Sequence, residues 1–151
     1  MNDDELMAGV RGAFETLDPV PAGVLAAARA AIALRVPSAT LAELSHDRAG
    51  RTAAGVRGTA GRVLTFACPG GTVEVEVEVA AHGRDRELTG RLVPPSAALV
   101  RVRHLELPPD GITARAEPAG LFCVPSVPAG LASLVFHLDD GTSIVTSWVR
   151  L

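Results

Sequence analysis

Side chains alternate strictly over residues 72–79, and this alternation constrains the fold more than any other feature of the sequence. The segment reads Thr-Val-Glu-Val-Glu-Val-Glu-Val, so its valines lie on one face of an extended chain and Glu74, Glu76 and Glu78 lie on the other. A helix would scatter both sets around its surface. The pattern therefore predicts a β-strand with one buried face and one acidic face in contact with solvent.

The same two-residue period continues from about residue 51 to the end of the sequence, with Gly and Pro between the alternating runs. Asp139-Asp140-Gly141 is a hairpin signal between the last two runs. Short strands separated by such turns are typical of two stacked antiparallel sheets. We therefore expect a β-sandwich domain over residues 51–151. Its strands are expected near residues 52–58, 62–68, 72–79, 86–93, 98–105, 112–117, 131–138 and 142–149.

The first 47 residues have a helical period instead. Large apolar side chains recur there at intervals of four, four and three residues, which places them on one face of a helix expected over residues 3–17. Asn2 or Asp3 can cap the N-terminus of this helix, and acidic residues occupy its first turn. The apolar stripe of this helix consists of Leu6, Val10, Phe14 and Leu17.

Prolines bound the other helices of this segment. Pro21 suits the first position of a second helix, which is expected over residues 21–35. Pro37 ends that helix, and a third, short helix is expected over residues 38–46. The helical segment over residues 1–47 has too little apolar surface to fold alone. The fold class is therefore α+β, with an N-terminal helical hairpin followed by a mainly antiparallel β-sandwich.

The charges of the chain argue against nucleic acid as a partner. Residues 1–50 contain seven acidic residues and four arginines, whereas residues 51–151 contain ten of each sign. Nucleic-acid binding needs a basic patch that displaces counterions from phosphates, and neither part of the chain is basic overall. The acid excess is confined to the helical segment, and we therefore expect no nucleic-acid partner.

The sequence predicts a cytoplasmic protein. Asp3, Asp4 and Glu5 stand where a secretion signal would be positively charged, and no long apolar region follows them. The most apolar stretch, residues 24–34, falls well short of the roughly 20 residues that span a bilayer. Two cysteines, Cys68 and Cys123, fit a reducing compartment better than the disulfide framework of a secreted domain. We therefore expect no membrane partner.

Five short segments between residues 88 and 138 follow the pattern of a known β-domain. A strand with Gly-x-Leu is followed by a strand with alternating Val, then by a turn glycine before Phe122, and then by a Pro-x-Gly turn before the next strand. These segments are residues 88–93, 99–102, 119–124, 127–130 and 134–136. In order and spacing they resemble the carboxypeptidase regulatory-like domain, a transthyretin-like sandwich related to the Cna-B modules.

The resemblance implies an attached binding or spacer module and brings no catalytic residue with it. It also implies that Gly120 and Gly130 lie in turns and that Phe122 and Val124 share the buried face of one strand. The helical opening resembles small high-GC bacterial proteins found beside sigma factors or caspase-like peptidases. That likeness implies a protein partner of one of these two kinds.

The residue types that carry most enzyme chemistry are sparse and scattered. The histidines are His46, His82, His104 and His137, and no C-x-x-C or H-E-x-x-H spacing predicts a metal site. Phosphate-binding glycine loops and serine nucleophile motifs are also missing, so we expect neither a cofactor nor catalysis. Two alternatives stay open: a small enzyme that pairs a cysteine with a histidine, and a sandwich that binds a ligand in a cleft.

Two surfaces are the candidates for partner binding. The apolar stripe of the first helix can enter a partner's groove, or it can dock on the chain's own sandwich. The strip Glu74, Glu76 and Glu78 can meet a basic partner, or cross-strand arginines at positions 91, 101 and 103 can neutralise it. Trp148 is expected to lock the last strand into the core. We therefore expect a non-enzymatic protein-interaction or regulatory module.

Overall fold

The structure, a computed structural model, describes residues 2–33, 35–49 and 61–151. The chain divides into two compact units, Met1–Arg35 and Val36–Leu151. The first unit contains two helices, α1 (Asp3–Leu17) and α2 (Ala22–Ala33). The second unit contains every strand of the described residues, so the order of elements is helical and then strand-rich.

A capping box starts α1 at the predicted position. Asn2 Oδ1 accepts a hydrogen bond from the Glu5 backbone N–H at 2.8 Å, and Glu5 Oε2 accepts one from the Asn2 N–H at 3.1 Å. Asp3, Asp4 and Glu5 occupy the first turn, where negative charge stabilises the positive end of the helix dipole. The predicted first helix is therefore confirmed, and its cap is Asn2.

Ten strands follow in the described part of the second unit, together with a short 3₁₀ turn at Pro69–Gly71. Their order across the sheet is β6-β5-β8-β9-β1-β2-β3-β4-β7, and β10 pairs with β8. Every described pair is antiparallel except β1 with β9. The strands are β1 (Thr40–Ala49), β2 (Arg62–Ala67), β3 (Glu74–His82), β4 (Asp85–Val93), β5 (Ala98–His104), β6 (Ile112–Ala116), β7 (Leu121–Pro128), β8 (Leu131–Leu138), β9 (Ser143–Thr146) and β10 (Val149–Arg150).

The sheet curves until it is nearly barrel-shaped. Two connections produce this curvature: β1 pairs with both β9 and β2, and a tight turn joins β6 to β7. Thr40–Ala42 at the start of β1 pair with β9, and from Glu43 onward the strand pairs with β2, with a bulge between Leu44 and His46. At the other side, β6 and β7 are joined by a turn in which the Gly120 N–H donates to the Glu117 carbonyl at 2.7 Å. The chain is thus α+β: two helices followed by a mostly antiparallel sheet.

The predicted third helix over residues 38–46 is wrong, since this segment forms most of β1. Ala42 is fully buried between its neighbouring strands, and the backbone of β1 is paired on both edges. Such pairing outweighs a weak local preference for helix. Residues 36–49 therefore belong to the strand-rich unit and not to a helical segment 1–47. The predicted strand at residues 52–58 lies outside the described residues.

The other predicted strands occur close to the expected positions. The segment 72–79 forms most of β3, and Val75, Val77 and Val79 are buried while Glu74 and Glu78 are exposed, as the alternation predicts. The expected last strand over residues 142–149 is divided into β9 and β10. The alternation in the sequence therefore predicts most of the sheet correctly, including the direction in which its side chains point.

The core is built around two phenylalanines from different parts of the sheet. The rings of Phe122 in β7 and Phe136 in β8 meet edge to face, with centroids 5.3 Å apart. Gly90 in β4 leaves room for the first ring, because a Cβ at this position would lie 2.5 Å from Phe122 Cζ. Other fully buried side chains around them are Leu64, Phe66, Val75, Val77, Leu88, Leu92, Val100, Val102, Val124, Val127 and Ile144.

An arginine clamp joins three strands at one end of the sheet. Arg62 Nε donates to Asp47 Oδ1 at 2.8 Å and Arg62 Nη2 donates to Asp47 Oδ2 at 2.7 Å. Arg62 Nη1 also donates to the backbone carbonyl of Arg150 in β10. The hydrogen bond from Arg62 lowers the pKa of the Asp47 carboxyl. The clamp therefore ties the C-terminal strand to β1 and β2.

Candidate functional site

A stripe of exposed apolar side chains lies on α1. This helix has no buried residue, and the four side chains of its apolar stripe are between 42% and 83% exposed. They share one face, as the sequence predicts, because an α-helix has 3.6 residues per turn. Within the helical unit nothing covers them. The stripe is Leu6, Val10, Phe14 and Leu17.

The second helix, α2, adds apolar surface without a polar face. Its twelve residues include one charged side chain, Arg29, and the others are aliphatic or glycine. Val24, Leu25 and Ile32 are all exposed. A helix of this composition is typical of positions buried on several sides. Because its large apolar side chains are exposed in the described structure, we include α2 in the candidate site.

The two helices meet near the connection between them, which we call the elbow. An open groove of about 410 Å³ lies there, and its apolar walls are Phe14, Val20 and Leu25. Arg11, Glu15 and Asp18 form its polar rim. In the described residues the helices do not pack along their lengths, so the expected hairpin is open rather than closed.

The acidic strip on β3 is partly neutralised. Glu76 lies opposite Arg91 of β4, and Arg91 Nε donates to Glu76 Oε2 at 2.7 Å. This hydrogen bond lowers the pKa of the Glu76 carboxyl. Arg101 and Arg103 lie on β5, which pairs with β6 and β8 and not with β3. Of the three arginines expected to balance the strip, only Arg91 therefore faces it across a strand pair.

An open groove runs beside this strip on the outer face of β2, β3, β4 and β7. Its volume is about 330 Å³, and its walls include Val63, Thr89 and Leu121. Glu76 and Glu78 contribute carboxylates to it, and Arg91 contributes the one cation among its lining residues. The surface is thus mixed in charge, which makes it a weaker candidate than the helical unit.

Trp148 lies outside the core, so the expectation that it is buried there is wrong. It is 39% exposed, and the guanidinium carbon of Arg103 lies 5.1 Å from the centre of its ring. Arg103 Nη2 also donates to Ser133 Oγ at 2.8 Å, and burial lowers the pKa of Arg103. The tryptophan therefore anchors the last strands through a cation on β5, which no local sequence pattern indicates.

The cysteines occupy different environments. Cys68 is buried, and burial raises the pKa of its thiol. Cys123 is exposed on β7, pointing away from the core, as its neighbour Phe122 predicts. Among the described residues no hydrogen bond joins either thiol to a histidine: His104 Nδ1 accepts from the Glu106 N–H at 3.1 Å, and His137 Nδ1 lies 2.9 Å from Ser143 Oγ. The described residues therefore form no hydrogen-bonded cysteine–histidine pair.

Iodoacetamide applied to the native chain at neutral pH is expected to modify Cys123 and to reach Cys68 only after denaturant is added. The reason is that the thiolate is the reactive species, and burial disfavours it at Cys68. Mass spectrometry of the intact chain and of its peptides measures this result. Rapid modification of Cys68 in the folded chain would contradict it and would favour the enzyme hypothesis.

The residues described form no metal site. In ranges 2–33, 35–49 and 61–151, no three His, Cys, Asp or Glu side chains are grouped so that they could hold a metal ion. A pocket inside the sheet, lined by Leu64, Phe66 and Leu134 among others, has a volume of about 10 Å³, which is room for one water molecule. No helix in the described part of the chain is both long and apolar enough to cross a membrane.

Comparison with known proteins found no match by three routes. No family model matches the chain, no curated protein is significantly similar to it in sequence, and no solved structure is significantly similar to it in fold.

Proposed function

We propose that this chain is a non-enzymatic protein-interaction or regulatory module, and that its helical unit carries the binding surface. The apolar stripe of α1 is the observation that carries the proposal. Its four large side chains are exposed on a helix that has no buried residue. Amphipathic helices of this kind bind by laying anchors at intervals of three and four residues into an apolar groove.

A protein groove is a better match for α1 than a membrane surface. Helices that lie on membranes carry Lys and Arg on the polar face, which attract anionic lipids. In α1 the polar residues are mostly acidic, and Arg11 is the one basic residue of the helix. We expect a partner surface that is apolar in the middle and has arginine or lysine at the end that meets Asp3 in the first turn of α1.

The strand-rich unit serves as the scaffold in this proposal. We propose that it is a transthyretin-like β-sandwich of the carboxypeptidase regulatory-like kind. Two observations support this assignment: Gly120 and Gly130 have φ of 81° and 138° in turns, and Phe122 and Val124 are buried on one face of β7. Modules of that family hold or present a binding element, and they have no catalytic residues of their own.

The resemblance of the helical opening supports two classes of partner. We propose a cytoplasmic partner that is either a sigma factor or a caspase-like peptidase, because small proteins with a similar opening are found beside both. The sheet face with Glu74, Glu76 and Glu78 is the second candidate surface, and the salt bridge from Arg91 to Glu76 makes it less available.

Substitution of Val10 by glutamate is expected to weaken partner binding by more than tenfold. Burial of a valine contributes about 1.5 to 3 kcal/mol, and a charge placed in an apolar groove adds a further cost. Ala8→Glu is the matched control: it adds the same charge to the same helix, on the side away from the stripe. Affinity purification from the native host with the wild type and both variants identifies the partner, and calorimetry with the purified partner measures the dissociation constants.

Two further results bear on this experiment. The proposal holds when Val10→Glu weakens binding and Ala8→Glu leaves it within about twofold, with equal helical circular dichroism in all three chains. If Glu78→Gln weakens binding and Val10→Glu does not, the sheet face is the binding surface and the assignment to α1 fails.

A further inference from the structure

The apolar surface of α2 is larger than the α1 helix of the same chain can bury. Arg29 is the one charged residue among the twelve of α2, and its large side chains Val24, Leu25 and Ile32 are exposed. A helix that is apolar all round belongs in the middle of a packed assembly. Within the helical unit, the open elbow leaves α1 and α2 unpacked against each other along most of their length. One α1 helix could cover only one side of α2.

Neither helix is expected to be stable without such cover. Isolated helices shorter than about 12 to 15 residues are marginal in water, and α1 and α2 contain 15 and 12 residues. Gly9 and Gly12 in α1 and Gly23 in α2 each weaken their helix by about 1 kcal/mol relative to alanine. Helix packing against apolar surface must therefore supply the missing stability.

We infer that a second copy of this chain buries the apolar surfaces of α1 and α2, and that two helical units join as an antiparallel four-helix bundle. The α2 helices and the apolar stripes of the α1 helices form the inside of this bundle, and the side of α1 that carries Asp4, Arg11 and Glu15 faces water. This inference rests on the proposed function and concerns the same surface, which a second copy covers when no heterologous partner is bound.

The apolar area of the helical unit is about what a stable dimer needs. A large aliphatic side chain has roughly 60 to 120 Å² of apolar surface to bury, and about half of it is accessible here. Nine such side chains supply about 450 Å², which at an apolar share of about 65% corresponds to roughly 700 Å² on each chain. A standard interface buries about 800 Å² per partner. The nine are Leu6, Met7, Val10, Phe14, Leu17, Val20, Val24, Leu25 and Ile32.

The charges of the helical unit complement those of a second copy. In an antiparallel bundle the first turn of α1 in one chain lies beside the end of α2 in the other. The first turn contains Asp3, Asp4 and Glu5, whereas Arg29 and Arg35 lie in the second half of α2 and just after it. Within the described residues these two arginines form no ion pair. The same arrangement places the positive and negative ends of the helix dipoles together.

Analytical ultracentrifugation of the full chain tests this inference. Over about 1 to 100 μM we expect the wild type to change from a 15.6 kDa monomer to a species of twice that mass. Ile32→Glu is expected to raise the dissociation constant of the dimer by more than tenfold, and the control Ala8→Glu to change it by less than twofold. Arg35→Glu is expected to weaken the dimer, and the double variant with Asp3→Arg, which changes the first-turn acid on the stripe side of α1, to recover most of the loss.

The outcomes separate this inference from the proposed function. A wild type that stays monomeric at about 100 μM overturns the dimer, and so does a dimer that Ile32→Glu leaves unchanged. In either case the proposed function survives if Val10→Glu still abolishes binding of a purified heterologous partner. The proposed function itself fails if Val10→Glu changes neither self-association nor partner binding.

Discussion

Replacement of Phe122 by alanine is expected to lower the free energy of unfolding by about 3 to 5 kcal/mol. The ring is 3% exposed, and it meets Phe136 edge to face with centroids 5.3 Å apart. Its removal leaves a cavity among the fully buried side chains of the core, so the surroundings can collapse only partly. Equilibrium unfolding in urea, followed by circular dichroism of the strand-rich unit, measures the change.

Leu121→Ala is the matched control for this substitution. Leu121 is the preceding residue of β7, and it is 53% exposed on the other face of the sheet. Its replacement is expected to change the free energy of unfolding by no more than about 0.5 kcal/mol. A loss below about 1 kcal/mol for Phe122→Ala would show that the ring is not a core residue and that β7 has a different register.

Alanine at position 90 is expected to destabilise the chain by about 2 to 3 kcal/mol, although the substitution adds only one methyl group. The added Cβ would lie 2.4 Å from the backbone oxygen of Glu76 and 2.5 Å from Phe122 Cζ. The first of these atoms is backbone in a paired strand, so it cannot move aside without breaking the pairing of β3 with β4. Urea unfolding again measures the effect.

Two comparisons identify steric crowding as the cause. Gly12→Ala in α1, where a Cβ would meet nothing within 4 Å, is expected to raise the helix content of the chain. Gly90→Ala combined with Phe122→Leu is expected to cost less than the two separate losses together, because the smaller side chain removes one of the two clashes. An unchanged or raised stability of Gly90→Ala alone would mean that this part of the core is loosely packed.

The strands could be predicted from the sequence wherever alternation is strong. In β3 the valines and glutamates alternate without a break, so its buried face follows directly from the order of the residues. The failure at β1 has a physical cause. Leu41 and Leu44 are three residues apart, which suits a helix, but the segment lies between β9 and β2, and backbone pairing on both sides decides its conformation.

The candidate site was predictable in part. Leu6, Val10, Phe14 and Leu17 form a stripe because the helical period is local, and the structure shows that the helical unit leaves them exposed. The open elbow was not predictable, since two helices joined by a short connection usually pack against each other. The composition of α2 could have indicated a buried assembly, because a helix with a single charged residue has no face for water.

By itself the sequence determined the α+β class, the position of α1 and its cap, and the inward and outward directions of most strands, because each of these depends on residues that are close together in the chain. Only the tertiary structure decided that residues 40–49 form a strand, that Glu76 meets Arg91, and that Trp148 rests on Arg103. The reason is that these contacts depend on which strands become neighbours. That choice is made by the packing of the whole sheet, and no single segment contains it.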